Sequence, residues 1–151
     1  MSTTVDTSLA KSVIRAARPA DADAVYALLE QLATSYSPER GAFDTNFPLL
    51  LNDPSTSLLL VAEDAAGAVV GYALTTITPL LHANGSSAHL QELVVDDAHR
   101  GEGVGTAIVE EVERVCRERA VRQITVASRR SADFYERIGY RSSADFLKRT
   151  F

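Results

Sequence analysis

The residues that most restrict this chain are glycines at alternate positions in Gly101-Glu102-Gly103-Val104-Gly105. They follow the apolar run Leu93-Val94-Val95 and precede a stretch whose apolar residues, Ile108, Val112, Val115 and Cys116, recur at helical spacing. That order predicts a strand, a tight loop and an amphipathic helix. Without Cβ atoms the loop can take positive φ, so successive N–H groups can converge on one anion. The helix that starts there adds its positive dipole end, and Arg100 offers a fork for a phosphate oxygen. A diphosphate is the natural guest. Two familiar diphosphate loops are excluded. A Walker loop needs GxxxxGK[ST], and this loop holds no Lys. A dinucleotide loop needs G-x-G-x-x-G at the first strand–helix turn. Here the third glycine is replaced by Thr106 in one register and by Ile108 in the other, and the loop lies well past mid-chain.

The rest of the chain reads as one α+β unit. Residues 13–16 suggest a short strand, and Pro19 opens a helix whose stripe is Val25, Leu28, Leu29 and Leu32. Phe43, Phe47, Leu50 and Leu51 suggest a second helix, kinked or shortened by Pro48. Strands are expected at 58–62, 69–77 and 88–95, with a turn-rich connection at 79–87, which argues for an antiparallel meander. The glycine loop leads to a helix over 104–119, a strand over 121–127 and a short helix over 131–138 closed by Gly139. Residues 140–151 complete the pattern as a terminal strand or hairpin, giving the order β-αα-βββ-α-β-α-β.

A chain of 151 residues fits a single domain, expected over 13–151 behind a loose polar tail at 1–12. Lys+Arg 15 against Asp+Glu 20 leaves a formal charge of -5, which argues against nucleic-acid binding through the phosphate backbone. The lone Cys116 excludes an internal disulfide and a multi-thiolate zinc site, and reads as buried packing. His82, His89 and His99 have no metal-ligand spacing, so no metal is expected. No run approaches a membrane span, and the first dozen residues lack a secretory apolar core. The expected setting is the cytoplasm, with a homodimer allowed.

Two stretches carry a family resemblance. Arg100 through Gly105 reads R-x-x-G-x-G after Gln91-Glu92-Leu93-Val94-Val95, and Phe134-Tyr135-Glu136-Arg137-Ile138-Gly139-Tyr140 follows at a suitable distance. These resemble the pyrophosphate loop and the F-Y-E-x-x-G-[FY] segment of the GCN5-related N-acetyltransferase (GNAT) family. Leu60-Val61-Ala62-Glu63 and Val69-Val70-Gly71-Tyr72 are similar to its second and third strands. The resemblance implies the GNAT fold, a mixed but mostly antiparallel sheet of about six to seven strands flanked by about four helices. It implies acetyl-CoA as co-substrate and a small-molecule or peptide primary amine as acceptor.

The site residues follow from that resemblance. Leu93, Val94 and Val95 would line the pantetheine arm, and Arg100, Gly101, Glu102, Gly103, Val104, Gly105 and Thr106 would cradle the diphosphate. Ser128 or Ser131 stands where the family often carries Asn, and Arg129 or Arg130 could reach a further phosphate or form a solvated turn. Tyr135 matches the tyrosine that faces the thioester sulfur, as a general acid or as a ring packed beneath the cofactor. Phe134 beside it reads as core that borders the cofactor. Glu92 and His89 are the candidate bases; strict alternation puts them on opposite faces, unless a bulge intervenes. The family often has a second acid beside the Glu92 position, and Gln91 stands there instead. Tyr36, Phe43, Asp44, Phe47 and His82 are acceptor-side candidates, although aromatics at helical spacing equally suit a core. A non-catalytic acyl-CoA-binding module of the same fold is the alternative reading.

Overall fold

The computed structural model describes residues 12–33, 36–128 and 131–151. The expected tail falls almost wholly on residues 1–11, and the Arg129 and Arg130 assignments fall on 129–130; both lie outside the described residues. Five strands form one sheet in sequence order: β1 (Val13–Ala16), β2 (Ser57–Glu63), β3 (Val69–Leu80), β4 (Gly85–Val95) and β5 (Gln123–Val126). The pairs β1/β2, β2/β3 and β3/β4 are antiparallel, and β4/β5 is parallel. A parallel neighbour needs a crossover, which here is the helix expected from the sequence.

The sheet is covered on both faces. Helices α1 (Ala22–Leu32) and α2 (Arg40–Leu51) bury Val25, Leu28 and Phe47 against Leu59, Val61, Tyr72, Leu74 and Val94. On the other face α3 (Val104–Glu118) buries Val104, Ile108, Val109, Val112 and Cys116 against Leu60, Ala62, Ala73, Ala88 and Leu90. The short α4 (Ala132–Arg137) adds Tyr135 to this second layer. Gly71 lets α3 come close: a Cβ there would stand 3.0 Å from the Val94 carbonyl and 3.1 Å from Ile108 Cδ1. Among the described residues no helix is long and apolar enough to cross a membrane.

Three expectations are corrected. Among the described residues the sheet has five strands rather than six or seven, because residues 141–151 form no strand and are exposed throughout. Their large apolar residues, Phe146, Leu147 and Phe151, do not alternate, so no strand face can be buried by them. The β3/β4 hairpin is longer than expected, with only residues 81–84 in its turn; Asn84, at φ 56°, supplies the left-handed position such turns require. Helix α2 also passes through Pro48 without breaking. Pro48 is exposed and in the last turn, and its own carbonyl still accepts the Asn52 N–H at 3.0 Å. The carbonyl left without an amide partner is on the solvent side, where water can serve.

One ion cluster fastens the start of the chain to the sheet. The Arg15 guanidinium donates to Asp21 at 2.7 and 2.9 Å and to Glu63 at 2.6 Å, while the Arg18 N–H donates to Asp21 at 2.7 Å. The Asp21 side chain is only 8% exposed, and Arg15 holds its carboxyl below the usual range. A carboxyl depressed in the folded state stabilises fully above its unfolded value and loses that contribution as pH falls through its folded value. Asp21→Asn is therefore expected to cost about 3 kcal/mol near pH 7, a melting shift of roughly 6–12 °C. Its stability should also fall less than the wild type's below about pH 4. Thermal melts across that range check this, and equal melting of the two proteins at neutral pH would overturn it.

Candidate active site

Strands β4 and β5 run together only as far as Leu90, which pairs with Val126. Beyond that point β4 continues to Val95, while the chain after Val126 turns towards α4. The gap is a cleft of about 1100 Å³. Leu93 and Val95 border it from β4, Gly103 to Thr106 from the loop and α3, Ser128 and Ser131 from the far wall, and Tyr135 from α4.

The free edge of β4 has a defined hydrogen-bonding face. The Asp96 N–H donates to the Val70 carbonyl on β3, whereas the Val95 carbonyl accepts from Arg100 Nε at 3.4 Å on the outer side. Residues two apart on a strand direct their amide groups alike. Leu93 and Val95 therefore present N–H and C=O to the cleft, a peptide edge ready for a peptide-like ligand. At its end Gly103 caps α3 with φ 84°, and Gly101 has φ 80°. The Ala107 N–H, bonded to the Gly103 carbonyl at 3.0 Å, is the first amide of α3 to close on a helical carbonyl. The amides of Val104, Gly105 and Thr106 precede it, and first-turn amides have no intrahelical partner.

The loop before α3 is pinned by side chains. Gln31 of α1 donates to Asp96 at 3.0 Å and accepts the Asp97 N–H at 3.0 Å. His99 lies 3.1 Å from Asp96 and 4.0 Å from Asp64. Gln31 and His99 hold the Asp96 carboxyl below its usual range. Arg100 pairs with Asp97 at 2.8 Å in an exposed bridge. The Ser131 N–H donates to Ser128 Oγ at 3.1 Å, ordering the entry to α4.

The acetyltransferase (GNAT) family pattern matches residues 22–140. This chain belongs to that family. The GNAT chain is 31% identical over 78 residues to glucosamine 6-phosphate N-acetyltransferase of Trypanosoma brucei brucei, a match covering 50% of this chain and 53% of the other. It thus spans about half the length of that curated relative. Among solved structures, a transcriptional regulator from Bacillus halodurans C-125 superposes with a TM-score of 0.82 at 24% identity, over 93% of this chain and 99% of that one. Glucosamine-6-phosphate N-acetyltransferase from Arabidopsis thaliana gives 0.81 at 22%, over 93% and 98%. Both likenesses show the fold.

The GNAT cleft gathers most, but not all, of the residues singled out in the sequence. Leu93, Val94, Val95, Arg100, Gly101, Gly103, Val104, Gly105, Thr106, Ser128, Ser131, Phe134 and Tyr135 line it, as do Glu92 and Gln91. Tyr135 is buried, which pushes its phenol up and keeps it protonated; Phe134 meets it edge-on at 5.0 Å. Glu102 is exposed and does not line the cleft. His89 and Glu92 share a face of β4, contrary to strict alternation. Leu90 pairs with Thr75 and Glu92 with Leu74, so Gln91 is the extra residue of a β-bulge. His89 nevertheless does not line the cleft. Its Nδ1 lies 2.7 Å from Thr125 Oγ1, its ring stacks on Phe146 at 5.9 Å, and burial pushes its pKa down.

The acceptor-side candidates scatter. Tyr36 lies near Glu92: burial first, then the Glu92 charge, raises its phenol. Phe43 instead stacks on Phe47 at 5.1 Å and meets Tyr26 edge-on at 5.2 Å, as helical core. Asp44 is bound by Arg40 at 2.8 Å and, with Phe47, borders a separate 540 Å³ depression between α2 and the start of α1. His82 is exposed in the β3/β4 turn and lines neither cavity. Gln31 and Tyr72 were not singled out. Nothing in the residue pattern distinguishes Gln31 from any polar helix residue, and Tyr72 reads as strand core.

Two glycines of the loop make a paired test. Gly103 sits at positive φ, so Ala there should cost about 1–2 kcal/mol and lower melting by roughly 2–8 °C. Gly105 lies inside α3, where a Cβ would meet Phe134 and Val95 at 3.5 and 3.6 Å, ordinary contacts. Gly105→Ala should leave ligand-free stability unchanged or raise it by up to about 1 kcal/mol. Equal losses in both variants would contradict the assigned backbone.

Proposed function

We propose that this chain is an acetyl-CoA-dependent N-acetyltransferase that moves the acetyl group to a primary amine by direct attack in a ternary complex. One observation carries the reading: the parting of β4 and β5 joins a free peptide edge, a set of first-turn helix amides, a buried protonated tyrosine and a carboxylate in a single cleft. The pantetheine arm has amide groups that the edge at Leu93 and Val95 can pair, and the diphosphate suits the amides of residues 104–106 with Arg100. Ser128 and Ser131 offer hydroxyls on the opposite wall.

Starting from an ammonium, direct transfer takes two protons from nitrogen and gives one to sulfur. Attack forms the C–N bond of the amide and breaks the C–S bond of the thioester. Glu92 takes one proton from the ammonium to free the lone pair. The Tyr135 hydroxyl then gives a proton to the leaving sulfur and recovers one from the nitrogen of the tetrahedral intermediate, so the net proton leaves from Glu92 to solvent. An outward N–H of β4 stabilises the oxyanion that develops on the carbonyl. Holding both substrates in one cleft supplies the rest of the advantage by proximity. Glu92 is preferred to His89 as base because Glu92 lines the cleft and His89 does not.

The named activity of the Trypanosoma relative puts glucosamine 6-phosphate first among amines to try, beside amino acids, polyamines, aminoglycosides and peptide N-termini. Acetyl-CoA is expected to raise the melting temperature and ATP is not; no shift, or an equal one, overturns the reading. Mass spectrometry over the amine library should find one acetylated product. Acetyl-CoA binding with no product from any amine would favour a non-catalytic acyl-CoA-binding module. Tyr135→Phe should lower kcat by about 10²–10⁴-fold with little change in the acetyl-CoA KM. Unchanged turnover would remove Tyr135 as the acid.

A further inference from the structure

We infer that Tyr72 is a positioning residue, whose hydroxyl fixes the Glu92 carboxylate so that its second oxygen faces the acceptor amine. This rests on the reading of Glu92 as the base. Tyr72 lies on β3, on the face shared with α1 and α2, and is 2% exposed. Its hydroxyl donates to Glu92 Oε1 at 2.7 Å. Burying a phenol without a partner costs free energy, so the hydroxyl's single donor decides what the ring is doing there. Phenylalanine would fill the same core volume. What tyrosine adds is one hydrogen bond, and it goes to Glu92.

The bulge makes that contact available. Tyr72 pairs with Val94 and Leu74 with Glu92, so Tyr72 and Glu92 are diagonal neighbours on one face. Without the extra residue at Gln91 the two sides of β4 would exchange from Glu92 onward. Burial and the neighbouring carboxylate both push the Tyr72 phenol far up, so it remains a donor and the carboxylate the acceptor. Glu92 is thus held from beneath, while Oε2 is left for the cleft. The other titratable groups around it are Tyr36, His89 on the same strand face, and Asp97, His99, Arg100, Tyr135 and Arg137 bordering the cleft. From α1 only uncharged Gln31 and Leu32 reach the cleft.

A double-mutant cycle tests this with the full chain and the best amine from the library. Tyr72→Phe is expected to fold, melt no lower than the wild type by more than a few degrees, and keep its acetyl-CoA KM, while kcat falls about tenfold. In a Glu92→Gln background the same substitution should change kcat less than twofold, because the carboxylate it positions is gone. If Glu92→Gln keeps wild-type turnover, the base assignment itself falls and takes this inference with it. If Glu92→Gln loses turnover but Tyr72→Phe does not, or if Tyr72→Phe costs the same factor in both backgrounds, the positioning role alone is overturned. A readout free of activity is the NMR signal of tyrosine labelled at Cζ, assigned to Tyr72 by its loss in Tyr72→Phe. It should move in Glu92→Gln; an unmoved signal contradicts the hydrogen bond.

Discussion

The short ladder between β4 and β5 is the constraint on which the rest of this protein's site depends. Four residues pair, ending at Leu90 and Val126, and then the partners separate. A backbone that loses its partner inside a folded protein must find another donor and acceptor or face solvent. On one side of β4 that need is met by β3 along its length. On the other, no strand among the described residues pairs with Leu93 or Val95, and the Val95 carbonyl is met only by Arg100 Nε at 3.4 Å. The separation is held open from below, where α3 and α4 bury Ile108, Val112 and Tyr135 under the strands. The wall on the β5 side is then Val126 to Ser128 and the start of α4, which brings the Tyr135 phenol to the same opening. Sheet topology, helix packing and chemistry are thus one arrangement rather than a scaffold with a site added.

The bulge at Gln91 is the second local feature with wide effect. It interrupts the period of two at the point where the free edge begins, and puts Glu92 on the α1/α2 face beside Tyr72. At the register shift Thr75, opposite Leu90, is fully buried with no partner for Oγ1 among the described residues. An unpaired buried hydroxyl costs about 1–3 kcal/mol. A ladder without the extra residue would give up the Glu92 placement, so local regularity and the site are in conflict here.

What could be read from residues alone follows from how strongly each feature is tied to residue type. Gly101 and Gly103 take positive φ, and few other residues do so cheaply, so the loop was legible. The helical stripe of α3 and the apolar strands were legible because their period follows from where side chains must point. The bulge was not, since its extra residue, Gln91, needs no special conformation or chemistry that marks it. The acceptor side was illegible for another reason. Phe43 and Phe47 have the spacing of a helix face, and that spacing cannot say whether the face meets a ligand or another helix; here they meet each other and Tyr26. The terminal strand failed because Phe146, Leu147 and Phe151 do not alternate, so residues 141–151 have no apolar strand face to bury.

The net charge of -5 argues against binding the phosphate backbone of a nucleic acid, yet the proposed co-substrate is itself an anion. The structure shows how the local balance differs from the total. Of the acids nearest the loop, Asp97 is neutralised by Arg100 and Asp96 is engaged by Gln31 and His99. Beside the side chains that line it, the cleft is faced by oriented backbone: the first-turn amides of α3 and the outward groups of β4. Amide dipoles carry no formal charge, so they attract a diphosphate without altering the chain's overall sign. They are also fixed in direction by the helix and strand that hold them, unlike lysines on flexible stems. An acidic chain can therefore keep an anion site and still present a carboxylate, Glu92, to a cationic amine on the other side of the same strand. In the proposed ternary complex diphosphate and ammonium would meet different parts of one cleft, with the backbone doing the work at one that a side chain does at the other.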